Sequence, residues 1–135
     1  MSAGVLAVTR QSSPEKSLTQ LTLDWTSDAS GNVSQDIGIA YGDVRCVRGG
    51  LVGVETIPGI LGDLTTDLPT NLYDITLLNP YSLDIVAGVL ADRSGTVAEQ
   101  VLPTKTIPNI QDIALTIANA GAAKSGRIIL YFASV

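Results

Sequence analysis

The stretch that decides the fold runs from Ile113 to Phe132 and reads IALTIANAGAAKSGRIILYF. Apolar residues alternate with small or polar ones in 113–119 and again in 127–132. A period of two is typical of β-strands that bury one face. Between the two runs, Asn119 and Gly121 can adopt the positive φ that a tight reversal needs. We therefore predict a hairpin of two strands whose apolar face is covered by a second layer.

The same alternation recurs along the rest of the chain, separated by turn-forming residues. Thr26–Asn32 has the composition of a hairpin loop, and Gly49–Gly50 marks either a bulge or a turn. The further predicted strands cover 17–25, 33–40, 44–48, 51–57, 72–78 and 96–101. About eight or nine short strands at intervals near ten residues are typical of an all-β fold. We predict an antiparallel β-sandwich, or a related jelly-roll or barrel-like fold, with little helix.

One segment, Leu83–Leu90, fits two patterns. Leu83, Val86, Ala87 and Leu90 follow the spacing of a helical stripe, but β-branched residues and a central Gly88 favour a strand. We predict a strand with a bulge at Gly88.

The length of 135 residues fits a single domain. Turn-forming residues at Ser12–Ser17 divide an N-terminal arm, residues 1–16, from one β-sandwich domain, residues 17–135. The predicted core consists of the inward residues of the strands: Leu21, Leu23, Trp25, Ile37, Ile39, Ile75, Leu77, Leu115, Ile117, Ile128 and Leu130.

Charge and cysteine content narrow the possible partners and compartments. The net charge is −5 and the eight Lys and Arg residues are scattered, so we expect binding neither to nucleic acid nor to a membrane surface. The single cysteine, Cys46, allows no intrachain disulfide and is expected to be a buried structural thiol. We see no signal peptide and no apolar run of membrane-spanning length, which fits synthesis in the cytoplasm.

The residues that usually carry catalysis are scarce. The chain has no histidine and one cysteine, which excludes Ser-His and Cys-His nucleophile systems and an ordinary zinc site. Glycine-rich phosphate-binding loops are missing as well. We therefore predict a protein that is not an enzyme and needs no metal or cofactor. A carboxylate-only hydrolase or a calcium site remains an alternative, but aspartates such as Asp28 and Asp63 are expected to cap turns.

Two apolar segments lie outside the clear strands and could form contacts with other chains. Only 16% of the residues are charged, which suits a protein that hides part of its surface in an assembly. Apolar loops either fold back over a sheet edge or form a contact patch. Arg93 could pair with Asp92, with Glu99 or with a neighbouring subunit. The candidate interface residues are Val5, Leu6, Val8, Ile57, Ile60, Leu61, Leu64 and Arg93.

Four motifs, followed by Tyr131, occur in an order that resembles a group of small proteins encoded among the structural genes of tailed bacteriophages. They are WTSDASGNV (25–33), PTNLYDITL (69–77), LADRSGTVAEQ (90–100) and LTIANAGAAKSG (115–126). The resemblance covers residues 20–132 and is weakest in the arm and the loop 58–68. It implies a virion component, and it carries over no functional residues.

The expected function is that of a non-enzymatic virion structural protein. We favour a capsid decoration (cement) protein that binds the major capsid protein or other virion proteins as a homo-oligomer, with a trimer favoured. Alternatives are a tail, neck or fibre-associated virion protein, and a carbohydrate- or receptor-binding β-sandwich module. The last would require an aromatic cluster, and the tyrosines are scattered along the sequence.

Overall fold

The structure is a computed structural model, and it describes residues 4–12, 18–37, 51–102 and 113–133. Within these ranges, strands and turns account for nearly all of the structure, and the helical content is one 3-10 turn at Ile60–Gly62. The strands are β1 (Val5–Ser12), β2 (Leu18–Thr26), β3 (Val33–Asp36), β4 (Leu51–Pro58), β5 (Asp74–Leu78), β6 (Glu99–Val101), β7 (Ala114–Ala118) and β8 (Ser125–Ala133). The prediction of an all-β fold with little helix is confirmed.

The strands form two antiparallel sheets. The first has the order β1-β2-β8-β4-β6, and the second has the order β3-β7-β5. The two sheets enclose one apolar core to which both contribute. The arrangement is sandwich-like, as the spacing of strands and turns predicts.

Both predicted hairpins are wrong in the same way. The strands β7 and β8 lie in different sheets, and so do β2 and β3. The connections 27–32 and 119–124 are therefore arches that cross from one sheet to the other. Because β2 pairs with β8 and β3 pairs with β7, the two arches lie side by side. Positive φ at Asn119 (64°) and Gly121 (85°) reverses the chain as predicted, but the reversal joins two layers.

Period-two alternation determines which side chains enter the core. Ten of the eleven predicted core residues are no more than 5% exposed: Leu21, Leu23, Trp25, Ile37, Ile75, Leu77, Leu115, Ile117, Ile128 and Leu130. The eleventh, Ile39, and the predicted structural thiol Cys46 lie outside the described residues. Burying these aliphatic side chains supplies the main stabilisation, about 1.5–3 kcal/mol for each fully buried one.

The prediction of a bulged strand at Leu83–Leu90 is wrong. Asp84 makes an isolated bridge with Leu78, and residues 85–90 then form consecutive turns. Ala87 (φ 53°) and Gly88 (φ 82°) both have left-handed backbone conformations that neither a strand nor a helix tolerates. Ile85, Val86 and Leu90 are nevertheless buried. The apolar residues of this segment match neither the helical nor the strand period, because successive turns, and not a regular element, direct their side chains into the core.

Half of the segment predicted to be an N-terminal arm, residues 1–16, is part of the five-stranded sheet. Residues 5–12 form β1, which pairs with β2 in continuous register from Val5–Thr26 to Ser12–Thr19. Leu6 and Val8 pack against the core. The apolar character of this segment is therefore accounted for largely by contacts within the chain.

Candidate interaction surface

The loop that follows β4 lies at one end of the sandwich and is held in place by backbone hydrogen bonds. Gly59 N donates to Ser125 O at 3.0 Å, and Ser125 N donates to Asp67 O at 2.8 Å. Within the loop, Ile60 N donates to Thr66 O at 2.9 Å and Leu64 N donates to Pro58 O at 3.0 Å. Residues 58–67 thus form a compact loop that is fastened to the start of β8.

Asp63 closes this loop from within. Its Oδ1 accepts hydrogen bonds from Thr65 N and Thr66 N, both at 2.9 Å. These bonds, with that from Thr66 the stronger influence, lower the pKa of Asp63 from its ordinary 3.8 to about 2. Gly59 allows the close approach, because its φ is 97° and a Cβ there would collide with Asp63 Oδ1. The prediction that Asp63 caps a turn is confirmed.

The tip of the loop presents apolar side chains to solvent. Leu61 is 62% exposed, and Ile60 and Leu64 are each 43% exposed. Leu61 (φ 52°) and Leu64 (φ 64°) also have left-handed backbone conformations, which cost a non-glycine residue about 1–2 kcal/mol. Strained residues persist only where the surrounding structure holds them, and they are common at binding sites. We name these three residues, Ile60, Leu61 and Leu64, the apolar tip.

The underside of the loop packs on the outer face of the five-stranded sheet. A Cβ at Gly62 would lie 3.1 Å from Ile57 Cγ2 and 3.5 Å from Arg127 Cβ, so the turn is in close contact with β4 and β8. Arg127 makes a two-pronged ion pair with Asp24 of β2, at 2.7 Å for Nε to Oδ1 and 3.0 Å for Nη2 to Oδ2. Ile57, a predicted interface residue, is half-buried beneath the loop.

The candidate residues of β1 divide between the core and the surface. Leu6 and Val8 face the core, whereas Val5 is 60% exposed. Val5 lies opposite Thr26, and Thr26 lies opposite Ser125, to which the loop is fastened. Val5 is therefore at the same end of the sheet as the apolar tip and points to the same outer face.

Arg93 forms an ion pair and a hydrogen bond within its own chain. Its Nη1 lies 3.9 Å from Glu99 Oε2, and its Nε donates to Ala91 O at 3.2 Å. Glu99 Oε1 also accepts a hydrogen bond from Ser94 N at 2.6 Å. Of the three partners that the sequence allows for Arg93, the structure shows Glu99. The interface candidates that remain on the surface are Val5 and the apolar tip.

The acidic side chains act as turn caps and ion-pair partners. Asp28 Oδ1 accepts from Ser30 N at 2.8 Å and from Asn32 N at 3.0 Å, which confirms the predicted cap. In the described ranges, no three His, Cys, Asp or Glu side chains gather in a way that could hold a metal ion. The described part of the chain also contains no helix with the length and apolar character needed to cross a bilayer.

Sequence reasoning identified the apolar tip but not the residues that make it rigid. Gly59 and Asp63 hold the loop in one shape. Two local sequence features indicate such a turn: the Pro58-Gly59 pair, and an Asp that is followed two and three residues later by threonines. The long-range anchor at Ser125 has no local sequence signal, because the pairing of β4 with β8 brings it to the loop.

No protein family, curated protein or solved structure matches the chain.

Proposed function

We propose that this chain is a non-enzymatic structural protein of a virion: a decoration protein that binds the outside of a tailed-phage capsid as a homo-oligomer. The observation that carries the proposal is the apolar tip, a set of exposed aliphatic side chains on a loop that hydrogen bonds hold in one shape. The sequence resemblance to virion proteins of tailed bacteriophages supports a capsid as the partner of this surface.

A rigid apolar loop suits protein docking for an energetic reason. Association costs less when the contacting loop is already ordered in the unbound protein. Exposed aliphatic side chains in a strained, well-braced loop lose solvent contact on docking and recover hydrophobic free energy. An interface of standard size would bury about 800 Å² on each partner, so the tip would form its centre rather than its whole area.

The charge of the protein agrees with a position outside the shell. The net charge of −5 would be repelled by packaged DNA and is unfavourable on a surface that lines the genome. Bound across the junctions between capsid subunits, the oligomer would add buried interface and resist outward pressure from the genome. We favour a trimer, in which each subunit presents one tip to the shell.

Leu61→Asn separates a docking role from a structural one. Asparagine adopts a positive φ more readily than leucine, so this change relieves backbone strain while it removes the exposed apolar side chain. We expect the isolated variant to be as stable as the wild type and its binding to undecorated capsids to weaken at least about tenfold. Capsid pelleting measures the binding and thermal melting measures the stability.

The matched control is Leu72→Asn. Leu72 is also an exposed leucine (56%) with a left-handed backbone (φ 67°), but it lies outside the apolar tip, next to the three-stranded sheet. The Leu72→Asn substitution should leave binding to undecorated capsids unchanged. Equal binding by the wild type and both variants would contradict docking through the tip.

Cryo-EM of the intact particle tests where the protein is located. Density for this fold on the tail rather than the head would overturn the capsid assignment.

A further inference from the structure

A groove lies on the outer face of the five-stranded sheet, beside the middle of β4 and apart from the apolar tip. Its volume is about 280 Å³. The floor comes from β4, one wall from β8 and the other from β6 and the residue after it. The lining residues are Gly53, Val54, Glu55, Gln100, Val101, Leu102 and Tyr131. Along β4, the nearest groove residue, Glu55, is two residues from Ile57, about 7 Å, and along β8 Tyr131 is four residues from Arg127, about 13 Å. The groove and the apolar tip share no residues.

Tyr131 forms the aromatic wall and is held in one orientation. It lies opposite Gly53 in the sheet, and a Cβ on Gly53 would lie 3.8 Å from Tyr131 Cδ2. The Tyr131 hydroxyl donates a hydrogen bond to Glu55 Oε1, two residues further along β4. The ring therefore lies along β4 between these two positions. Tyr131 is half-buried and lines the groove, so part of the ring is accessible from it.

Two planar polar side chains, Glu55 and Gln100, also line the groove. Gln100 lies directly opposite Glu55, so both side chains point to the same outer face. Glu55 provides acceptor oxygens, and the exposed amide of Gln100 provides both donors and an acceptor. The hydrogen bond to Glu55 raises the pKa of Tyr131 to about 12, because it stabilises the protonated hydroxyl that donates to the carboxylate. Leu102, which is 77% exposed, adds an apolar rim.

We propose that this groove binds a single neutral sugar ring of a glycan. A pyranose has an apolar face of C–H groups, which stacks on an aromatic ring, and a rim of hydroxyls that both donate and accept hydrogen bonds. The groove offers an aromatic ring together with a carboxylate and an amide at its edge. Its volume is close to the lower end of the range for small-molecule pockets, which suits one ring rather than a long chain.

An organic cation is the competing ligand for an aromatic ring beside a carboxylate. Cation recognition of this kind typically uses a cage of several aromatic rings. Among the described residues that line the groove, Tyr131 is the single aromatic one. The amide of Gln100 also favours a hydroxyl-bearing ligand over an ammonium group, because half of its hydrogen-bonding capacity is as a donor.

This inference goes beyond the proposed capsid role and does not rest on it. The groove and the apolar tip consist of different residues, so an experiment can disprove one proposal without affecting the other. The test is to titrate the full chain with glucose, galactose, mannose and N-acetylglucosamine, one at a time, and to follow amide NMR shifts. We expect at least one sugar to bind with a dissociation constant on the order of 1–10 mM and to shift amides of β4, β6 and β8 around the groove.

Two variants and their matched controls locate the binding. Gln100→Ala and Tyr131→Ala should each weaken the sugar at least about tenfold. Gln11→Ala changes an exposed glutamine of β1 on the same outer face, and Tyr81→Ala removes a 76% exposed tyrosine elsewhere. Both controls should bind as the wild type does. Because Gln100 is exposed, its variant tests the groove even if Tyr131→Ala unfolds.

Three results would overturn the proposal. The first is that none of the four sugars produces a saturable shift. The second is that Gln100→Ala binds a sugar as tightly as Gln11→Ala does. The third is that tetramethylammonium binds the groove more tightly than every sugar tested, which would make the site a cation site.

Discussion

Three hydrogen bonds join Ser27 and Lys124 across the end of the sandwich, the longest of them from Ser27 Oγ to Lys124 O at 3.3 Å. Ser27 N donates to Lys124 O at 2.8 Å, and Lys124 N donates to Ser27 Oγ at 2.9 Å. The Ser27 hydroxyl also donates to Gly121 O at 2.6 Å. These bonds extend the pairing of β2 with β8 beyond the ends of both strands and join the two arches that connect the sheets.

Ser27→Ala should therefore destabilise the fold. Ser27 is only 5% exposed, and its loss leaves Lys124 N and Gly121 O without their side-chain partner. We expect the free energy of unfolding to fall by about 1–3 kcal/mol, the usual cost of an unpaired group of this kind. Urea denaturation measures the change. Ser30→Ala, in the exposed part of the same arch, is the control and should stay within about 0.5 kcal/mol of the wild type.

Asp84 organises the turns that replace the predicted strand at 83–90. Its Oδ1 accepts from Leu77 N and Val86 N, both at 3.2 Å, and its Oδ2 accepts from Gly88 N at 2.8 Å. Asp84→Ala removes all three bonds, and we expect a loss of about 2–4 kcal/mol in the free energy of unfolding. Asp84→Asn should lose less, because its carbonyl oxygen can still accept the bonds that reach Oδ1.

Asp36→Ala provides the matched control for this prediction. Asp36 is an exposed carboxylate at the end of β3, and its replacement should change the free energy of unfolding by no more than about 0.5 kcal/mol. If the Asp84→Ala variant were as stable as this control, the turns would be held by apolar packing of Ile85, Val86 and Leu90 alone.

Alternation along the sequence predicts which residues face inward, but not which strand they pair with. Leu115 and Ile128 are recognisable as core residues because a period of two assigns each to one face of its strand. The turn between them looks the same whether it closes a hairpin or crosses to a second sheet. That choice depends on β2 pairing with β8, a contact between residues about a hundred positions apart.

The groove is beyond prediction from the sequence for the same reason. Gly53, Glu55, Gln100 and Tyr131 come from three strands, and only the registers of β4 with β6 and with β8 bring them together. The tyrosines are scattered along the sequence, and this dispersion does not predict an aromatic sugar-binding surface. A single tyrosine beside a glycine carries no local signal of a binding site.

The pKa of Asp63 gives the apolar-tip loop a defined response to acid. Hydrogen bonds from Thr66 N and Thr65 N lower this pKa from 3.8 to about 2. The charged carboxylate therefore stabilises the loop fully above pH 3.8, and this stabilisation is lost as the pH falls through about 2. We expect the amide shifts of Thr65 and Thr66 to titrate with a midpoint of about 2 in NMR spectra.

Asp63→Asn supplies the control for that titration. It keeps an acceptor oxygen but cannot ionise, so the midpoint near 2 should disappear from both amides while the loop keeps its shape. A midpoint at the ordinary 3.8 in the wild type would show that the two threonine hydrogen bonds do not form in solution.

The first strand offers a direct comparison between the core and the surface. Val8 packs against the core, whereas Val5 is 60% exposed at the end of the sheet that carries the apolar tip. Val8→Ala removes two partly buried methyl groups and should lower the free energy of unfolding by about 1–2 kcal/mol. Val5→Ala should leave that free energy within about 0.5 kcal/mol of the wild type. Equal and negligible effects of both changes on urea denaturation would show that residues 5–12 do not form an edge strand in the isolated protein and belong to a detached arm.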